Sequence, residues 1–292
     1  TPSESQEVEA VAMTVGRSTY AINYSGADET LGTRPPVISG LARANPADIE
    51  KTWQAVSSAM RPRIHTFIST DDAHMHAKFP GASPAEVMLM GTDAVRRARV
   101  LADEKHYATV EFSAEAASTT DMNFLERVVR EAVLAGADVI NVPDTVGHRD
   151  PFWMRDFYHQ VIGWVIHENP DAVISAHNHN DIDQATANTL ALVFAAAEYA
   201  QQHSSRVGVQ VETTICGLGE RAGNADVFPV VAGLEKFGPT MLSPIQWEFN
   251  PHVAVDTARA VMGFAGMKVA RQSPIVGSDT NVHRSGIHSD GI

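Results

Sequence analysis

Short apolar runs alternate along this chain with longer segments whose apolar residues recur every third or fourth position, the periods of strand and helix. The short runs are Val37–Leu41 (VISGL), Arg63–Thr70 (RIHTFIST), Tyr107–Ser113 (YATVEFS), Asp138–Val142 (DVINV), Ala172–Ala176 and Val207–Ile215 (VGVQVETTI), and each predicts a β-strand. Helical spacing predicts helices at about Pro46–Met60, Ser83–Glu104, Asp121–Ala135, Pro151–Glu168, Asp181–Gln202 and Ala225–Phe237. Asn45-Pro46, Ser83-Pro84 with Glu86 close behind, and Asp150-Pro151 supply helix-start chemistry, and Gly136 a stop. Met88 and Met90, at helical spacing, are assigned to the core.

Repeated strand–helix units predict a parallel sheet with helical crossovers. About six units are visible, where a (β/α)8 barrel needs eight over about 250 residues; doubly wound sheets use the same units. The polar residues favour a barrel. Ser113, Glu115, Asn141, Asp144, Thr145, His177, His179 and Glu212 all sit at or just past predicted strand C-termini, the rim where barrel enzymes place their chemistry. The expected fold is therefore α/β, a TIM-type barrel with six of its eight units. Residues 1–240 form the partial barrel and 241–292 begin a helical linker, with a helix over Phe249–Lys268 and a polar lid or linker over Ser273–Gly291. The Gly-, Ser- and Thr-rich Ser18–Pro36 reads as a surface loop.

Composition narrows the function. A formal charge of -13 with no Lys/Arg cluster argues against nucleic acid. No apolar run approaches the ~20 residues that cross a bilayer. Cys216 is the single cysteine, which excludes a disulfide framework and a thiolate metal cluster and suits a reducing compartment. A small anionic substrate of such an acidic chain needs a local positive centre, and a metal ion supplies one.

The most informative stretch is Ile174–Asp181, ISAHNHND. His177 and His179 are two residues apart at a strand's end, so both imidazoles project to one side and can share a divalent cation. Two surface histidines in a polar turn are the competing reading. A second H-x-H, His74 and His76 in DDAHMHAKF, lies in an acidic loop and is read as surface-exposed. Gly217–Asn224 (GLGERAGN) has the wrong spacing for a dinucleotide fingerprint; it is either a tight turn or a place where backbone approaches a ligand. Glu220 and Arg221 then make a simple ion pair. Taken singly, His65 suits a satisfied strand histidine, Glu115 a solvated carboxylate and Thr145 a turn residue.

Together SAHNHND, GLGERAGN and VHRSGIHSDG resemble the 2-isopropylmalate synthase family, within the metal-dependent acyltransferases and lyases on TIM barrels. RPRIHTFIST, VEFSAE, INVPDTVG and TANTL resemble further family segments in the same order, and the likeness runs from Thr1 to Ile292. The resemblance implies a Claisen condensation of acetyl-CoA with 2-oxoisovalerate in leucine biosynthesis, using Mn, Mg or Zn. It implies His177, His179 and Asn224 as metal ligands, with Asp181 orienting a ligating ring. His65, Ser113 and Glu115 match positions lining the 2-oxo acid and acetyl-CoA pocket, and Asn141, Pro143 and Thr145 positions that hold the substrate's carboxylate end. Glu115 and His283 are the implied catalytic groups, His283 as a base or water-activating residue. A homodimer in the cytoplasm, or in a plastid or mitochondrial matrix, is the implied setting.

The chain also departs from the pattern. The family opens on a strand bearing Arg-Asp-Gly, whose Asp is a metal ligand; here Arg149-Asp150 precedes a proline at a helix start instead. The expectation is a chain cut at both ends, lacking about two strands and a C-terminal leucine-sensing domain. Asn178 replaces the residue, often Cys, between the histidines, Asp183-Gln184 a Leu-Gly type pair, and Ala116–Ser118 lack a common Gly-Arg. An insertion near Gln201–Arg206 lengthens the last crossover. Homocitrate, citramalate and methylthioalkylmalate synthases are sister alternatives. An inactive fragment that binds only metal or a partner is the alternative from another class.

Overall fold

The computed structural model describes residues 2–14, 35–241, 247 and 249–283. Most of the expected Ser18–Pro36 loop, and VHRSGIHSDG beyond His283, lie outside the described residues. The strands are β1 (Val37–Arg43), β2 (Arg61–Ser69), β3 (Thr109–Glu115), β4 (Val139–Asn141), β5 (Val173–His177) and β6 (Gly208–Glu212). The helices are α1 (Pro2–Thr14), α2 (Pro46–Val56), α3 (Asp72–Lys78), α4 (Pro84–Ala102), α5 (Met122–Leu134), α6 (Pro151–Glu168), α7 (Ala185–His203), α8 (Val227–Phe237) and α9 (Ala254–Phe264).

One six-stranded sheet runs β1-β2-β3-β4-β5-β6 in chain order, with parallel pairing from β1 through β5. A doubly wound sheet reverses its strand order at a switch point, whereas a barrel adds each unit beside the last. The order is that of a TIM-type barrel carrying six units.

The chain divides into two compact units. The first comprises Thr1–Thr145, Gln160–Ala176 and Arg206–Gln210. Register aligns Leu41, His65, Glu111, Val139 and Val173 across its sheet, and two residues on Arg43, Phe67, Ser113, Asn141 and Ser175. That face carries the polar side chains. The alternate positions Ile64, Ile68, Val110, Phe112, Ala114, Ile140 and Ile174 are buried and form the core with α2, α4 and α5. On β1, at the sheet's edge, Ser39, Leu41 and Arg43 are exposed. The second unit, Val146–His159, His177–Ser205 and Val211–Ile292, packs Leu190 and Val193 of α7 on Val230 and Leu234 of α8, and Ala254 and Ala258 of α9 on Phe228.

Local chemistry explains the element ends. The Asn45 side chain accepts the Asp48 amide at 2.9 Å, and Ser83 and Glu86 close a reciprocal capping box on α4. Asp121 accepts the Phe124 amide at 3.0 Å to start α5.

Three expectations are corrected. The DDAHMHAKF stretch is not a loop: Asp71 caps it by accepting the His74 amide, and it forms α3, with His76 exposed but His74 half-buried. Met90 is 43% exposed and Met88 half-buried, because α4 turns Val87, Gly91, Ala94, Val95, Ala98 and Ala102 inward instead. The long helix expected over Phe249–Lys268 is confined to Ala254–Phe264. The N-terminal α1, which packs on α2, was not anticipated.

Candidate functional site

In the first unit the polar sheet face is a hydrogen-bonded network. Arg63 Nη1 donates to Glu111 Oε2 at 2.9 Å and to Gln210 Oε1 at 2.6 Å, and its Nε to Thr109 Oγ1 at 2.9 Å. Gln210 Nε2 donates to Glu111 Oε1 at 2.8 Å and Ser175 Oγ at 3.1 Å. Glu111 is 2% exposed, so a buried carboxylate is matched by a guanidinium and an amide. One residue row nearer the strand ends, Ser113 Oγ lies 2.6 Å from His65 Nε2 and accepts from Asn141 Nδ2 at 3.0 Å. Asn141 Oδ1 is buried and accepts no hydrogen bond among the described residues.

The loop after β4 is stitched to the loop after β3. The Pro143 carbonyl accepts the Ser118 amide at 3.3 Å, Thr145 Oγ1 accepts the Ala116 amide at 2.9 Å, and Ser118 donates to buried Asp144 at 2.6 Å. Glu115 ends β3 with both carboxylate oxygens 2.6 Å from Lys78 Nζ and a short hydrogen bond from Ser69. Burial opposes its ionisation, but the hydrogen bonds from Lys78 and Ser69 outweigh that, and its pKa falls below the ordinary glutamate value.

In the second unit, His177 and His179 do converge. Their Nε2 atoms are 3.0 Å apart, with ring centroids 5.0 Å apart. Glu212, at the end of β6, accepts from or shares a proton with His177 Nδ1 at 2.8 Å. On the other side, Arg221 Nη2 donates to His179 Nδ1 at 2.5 Å while its Nε and Nη2 hold Asp181 at 2.8 and 2.9 Å. Burial, then the neighbouring His177 and Arg221 charges, lower the His179 pKa and favour the neutral ring that ligates metals.

Alternation sends Asn178 the opposite way from its flanking histidines. It is fully buried, accepting the Tyr158 hydroxyl at 3.1 Å and donating to Thr189 at 3.0 Å. His179 also forms an antiparallel bridge with Asn224, the last residue of GLGERAGN. Asn224 Nδ2 donates to the Leu218 carbonyl at 3.3 Å, which orients the amide; its Oδ1 is buried and accepts no hydrogen bond among the described residues. The motif's glycines make this possible. A Cβ on Gly219 would lie 2.2 Å from Asn224 Nδ2, and Gly223, at φ +92°, would put one 2.1 Å from the Gly217 carbonyl. Arg221 itself sits at φ 51°, uncommon for a residue with a side chain.

These donors fit a divalent cation. Two nitrogens each about 2.1 Å from one ion, at right angles, stand about 3.0 Å apart. The His177–His179 spacing matches that figure, and the bridge-paired Asn224 brings an oxygen acceptor with no protein donor among the described residues.

The family described as HMGL-like matches residues 21–261. The chain belongs to this HMGL-like family. Curated relatives include 2-isopropylmalate synthase B of Solanum pennellii, 37% identical over 98% of this chain and 42% of its own length. The 2-isopropylmalate synthase of Pelotomaculum thermopropionicum is 39% identical over 87% of this chain and 46% of its own. Methylthioalkylmalate synthase 3 of Arabidopsis thaliana is 34% identical over 99% of this chain and 52% of its own. The chain thus spans about half the length of these synthases. Among solved structures, an HMG-CoA lyase from Acenitobacter baumannii, with coenzyme A and 3-methylmalate, superposes with a TM-score of 0.65 at 15% identity, covering 96% of this chain and 80% of that one. The family is one of enzymes, the relatives are acyltransferase-type synthases, and SAHNHND and GLGERAGN lie on the family-matched segment whereas VHRSGIHSDG lies beyond it.

The residues named from sequence fall into two groups. His65, Ser113 and Asn141 share one hydrogen-bonded run in the first unit, with Pro143 and Thr145 in the loop that follows and Glu115 at its rim. His177, His179 and Asn224 share the second unit. His283 is exposed, at the last described residue. Sequence reasoning passed over Glu111, Arg63 and Gln210, and assigned Arg221 to Glu220. Arg221 is 3.6 Å from Glu220 but closer to Asp181, which the histidine motif supplies. Asp181 therefore reaches the His179 ring through Arg221.

Proposed function

We propose that this chain carries the metal-binding and 2-oxo-acid-binding part of a 2-isopropylmalate synthase-like acyltransferase, which joins the acetyl group of acetyl-CoA to 2-oxoisovalerate. The convergence of His177 and His179, the latter bridge-paired with Asn224 whose Oδ1 accepts no hydrogen bond among the described residues, supports this reading most directly. Mn, Mg or Zn held by these three residues supplies a Lewis acid for a carbonyl oxygen and a positive centre for an anionic substrate.

The chain's own groups prepare that chemistry. Glu212 fixes the His177 ring through Nδ1, so its Nε2 faces His179. Gly219 leaves room for the Asn224 amide. Within the first unit, His65, Ser113 and Asn141 form a hydrogen-bonded polar run that suits an oxygen-rich ligand, and Pro143 and Thr145 sit on a loop tied to Ala116 and Ser118. Glu115 and His283 are the candidate proton carriers. Lys78 must release Glu115 before its carboxylate can accept a proton, because the ion pair lowers its basicity.

Titration with Mn(II) tests the reading directly. One ion per chain is expected to bind, with affinity falling at least about tenfold in His177→Ala or His179→Ala. Unchanged uptake in both variants sinks the assignment. Metal- and 2-oxo-acid-dependent thiol release from acetyl-CoA, measured over 2-oxo acids of increasing length, separates 2-isopropylmalate synthesis from the homocitrate, citramalate and methylthioalkylmalate reactions.

A further inference from the structure

Helix α3 brings to the rim of the first unit, beside Glu115, a pair of side chains with no role so far. Ser69 and Glu115 are register partners at the ends of β2 and β3, and the Thr70 amide and Oγ1 each donate to the Glu115 carbonyl at 3.0 Å. That staple fixes where α3 begins. Asp71 caps the helix through Oδ1, which also lies 2.6 Å from His74 Nδ1. Lys78 follows His74 by four residues, so the two share a helix face, and Lys78 Nζ reaches both Glu115 oxygens at 2.6 Å. The face that carries His74 is therefore the one turned to Glu115.

An ionised carboxylate only accepts, so Asp71 holds the proton of a neutral His74 ring on Nδ1 and leaves the Nε2 lone pair as a base. The His74 side chain is 34% exposed and that of Asp71 10%, so one edge of the ring is anchored while another meets water. Electrostatics joins the ring to Glu115. Burial pushes that carboxyl up, and hydrogen bonds from Lys78 and Ser69, with the charges of Lys78 and His74, bring it below its ordinary value. Lys78 cannot relieve Glu115 of a proton, because an ammonium has no site to accept one. His74 can.

We propose that His74, aligned by Asp71, is a positioning residue that carries protons between Glu115 and bulk water, acting through Glu115 and not on substrate. Once Lys78 has released it, Glu115 takes a methyl proton from the acetyl thioester: the C–H bond breaks, its electron pair stays with the enolate, and an O–H bond forms on the carboxylate. The proton then passes to His74 Nε2, making an imidazolium whose Nδ1–H stays on Asp71, and from there to water. Condensation followed by thioester hydrolysis consumes one water and leaves one new carboxylate, so one proton per turnover must depart. The inference rests on the proposed role of Glu115 as a proton carrier.

Deuterium uptake from heavy water into the methyl group of acetyl-CoA, followed by mass spectrometry, reads this relay. Mn(II) and 2-hydroxyisovalerate are present, the latter standing in for the 2-oxo acid without reacting. A proton that cannot leave Glu115 returns to the same carbon, so uptake falls when the relay is cut. His74→Ala is expected to slow uptake at least about tenfold with the half-saturating acetyl-CoA concentration unchanged, and added imidazole to restore most of the rate. Asp71→Asn keeps a good helix cap but loses the charge behind the ring, and it should slow uptake as well. His76→Ala, exposed on the same helix, should match the parent. Parent-like uptake in His74→Ala, or a loss that imidazole does not relieve, overturns the relay, since a merely structural histidine is not replaced by a free ring. Should His74→Ala not fold, His74→Gln decides: slowed uptake supports the relay and parent-like uptake refutes it. No uptake by the parent means that the Glu115 reading fails and the relay falls with it. Uptake that is lost in Glu115→Gln but indifferent to residue 74 condemns the relay alone.

Discussion

Replacing Glu111 by glutamine keeps the side chain's shape and removes its charge, and it should be among the most damaging conservative changes in the first unit. Glu111 is 2% exposed and accepts from Arg63 on one oxygen and Gln210 on the other. Glutamine offers one acceptor and one donor group, so either Arg63 or Gln210 must face N–H against N–H. Arg63, at 13% side-chain exposure, is then a buried cation without its counter-charge. Removing one partner of a buried pair costs about 3–5 kcal/mol. With a urea dependence of about 2–3 kcal/mol per molar, the unfolding midpoint should fall by roughly 1–2 M. The double variant Glu111→Met with Arg63→Met removes both charges and should recover most of that loss, leaving about 1–3 kcal/mol for the unmatched Gln210 amide. Urea unfolding followed by circular dichroism on Glu111→Met, Arg63→Met and the double closes the cycle. A Glu111→Gln midpoint within a few tenths molar of the parent, or a double variant worse than either single, would show that the pair is not the desolvated unit described above.

Two further outcomes follow from local geometry. Gly219→Ala places a methyl carbon on the Asn224 amide, so Asn224 must turn away; Mn(II) binding should drop about tenfold or more while the fold loses only the ~1–3 kcal/mol typical of a local overpacking. Calorimetric metal titration beside thermal melting distinguishes this from global unfolding, which would discredit the local account. Lys78→Met removes the cation that holds the Glu115 pKa down. A carboxylate with a depressed folded pKa stabilises above its unfolded value of about 4.3, and that contribution disappears as pH falls through the folded value. The variant should therefore be less stable at pH 7, by about 1 kcal/mol or less since Lys78 is 43% exposed, and the gap should close in acid once pH has fallen through the depressed folded value. A stability gap that persists in acid argues for lost packing.

Much of the fold was legible because its signals are local. Proline and capping residues fixed the starts of α2, α4 and α6 to within a residue, since Asn45, Ser83 and Asp150 satisfy the first helix amides from side chains adjacent in sequence. Helix α3 escaped notice although Asp71 is the same kind of cap, because the two turns of DAHMHAK carry no apolar period to set against their charges. Burial of Val87 and Gly91 in place of Met90 was equally unreadable: which stripe of α4 faces the sheet depends on how closely small residues let the helix approach. The histidine pair was readable from strand alternation alone. Its surroundings were not, because Arg221 meets Asp181 from 40 residues away and Glu111 meets Gln210 from 99. The nearest candidate partner in sequence, Glu220, is the weaker one.

The side chain between the two histidines gives the pair a rear attachment. Tyr158 on α6 and Thr189 on α7 grip Asn178 from the core, and its backbone carbonyl takes the Ala225 amide. Helix packing behind the strand thereby sets the pitch at which the two rings meet, without touching either. Drift among relatives in the residues lining that rear socket would retune the proposed site's cation preference while every proposed ligand stayed the same, so a survey confined to ligand identity would miss the change.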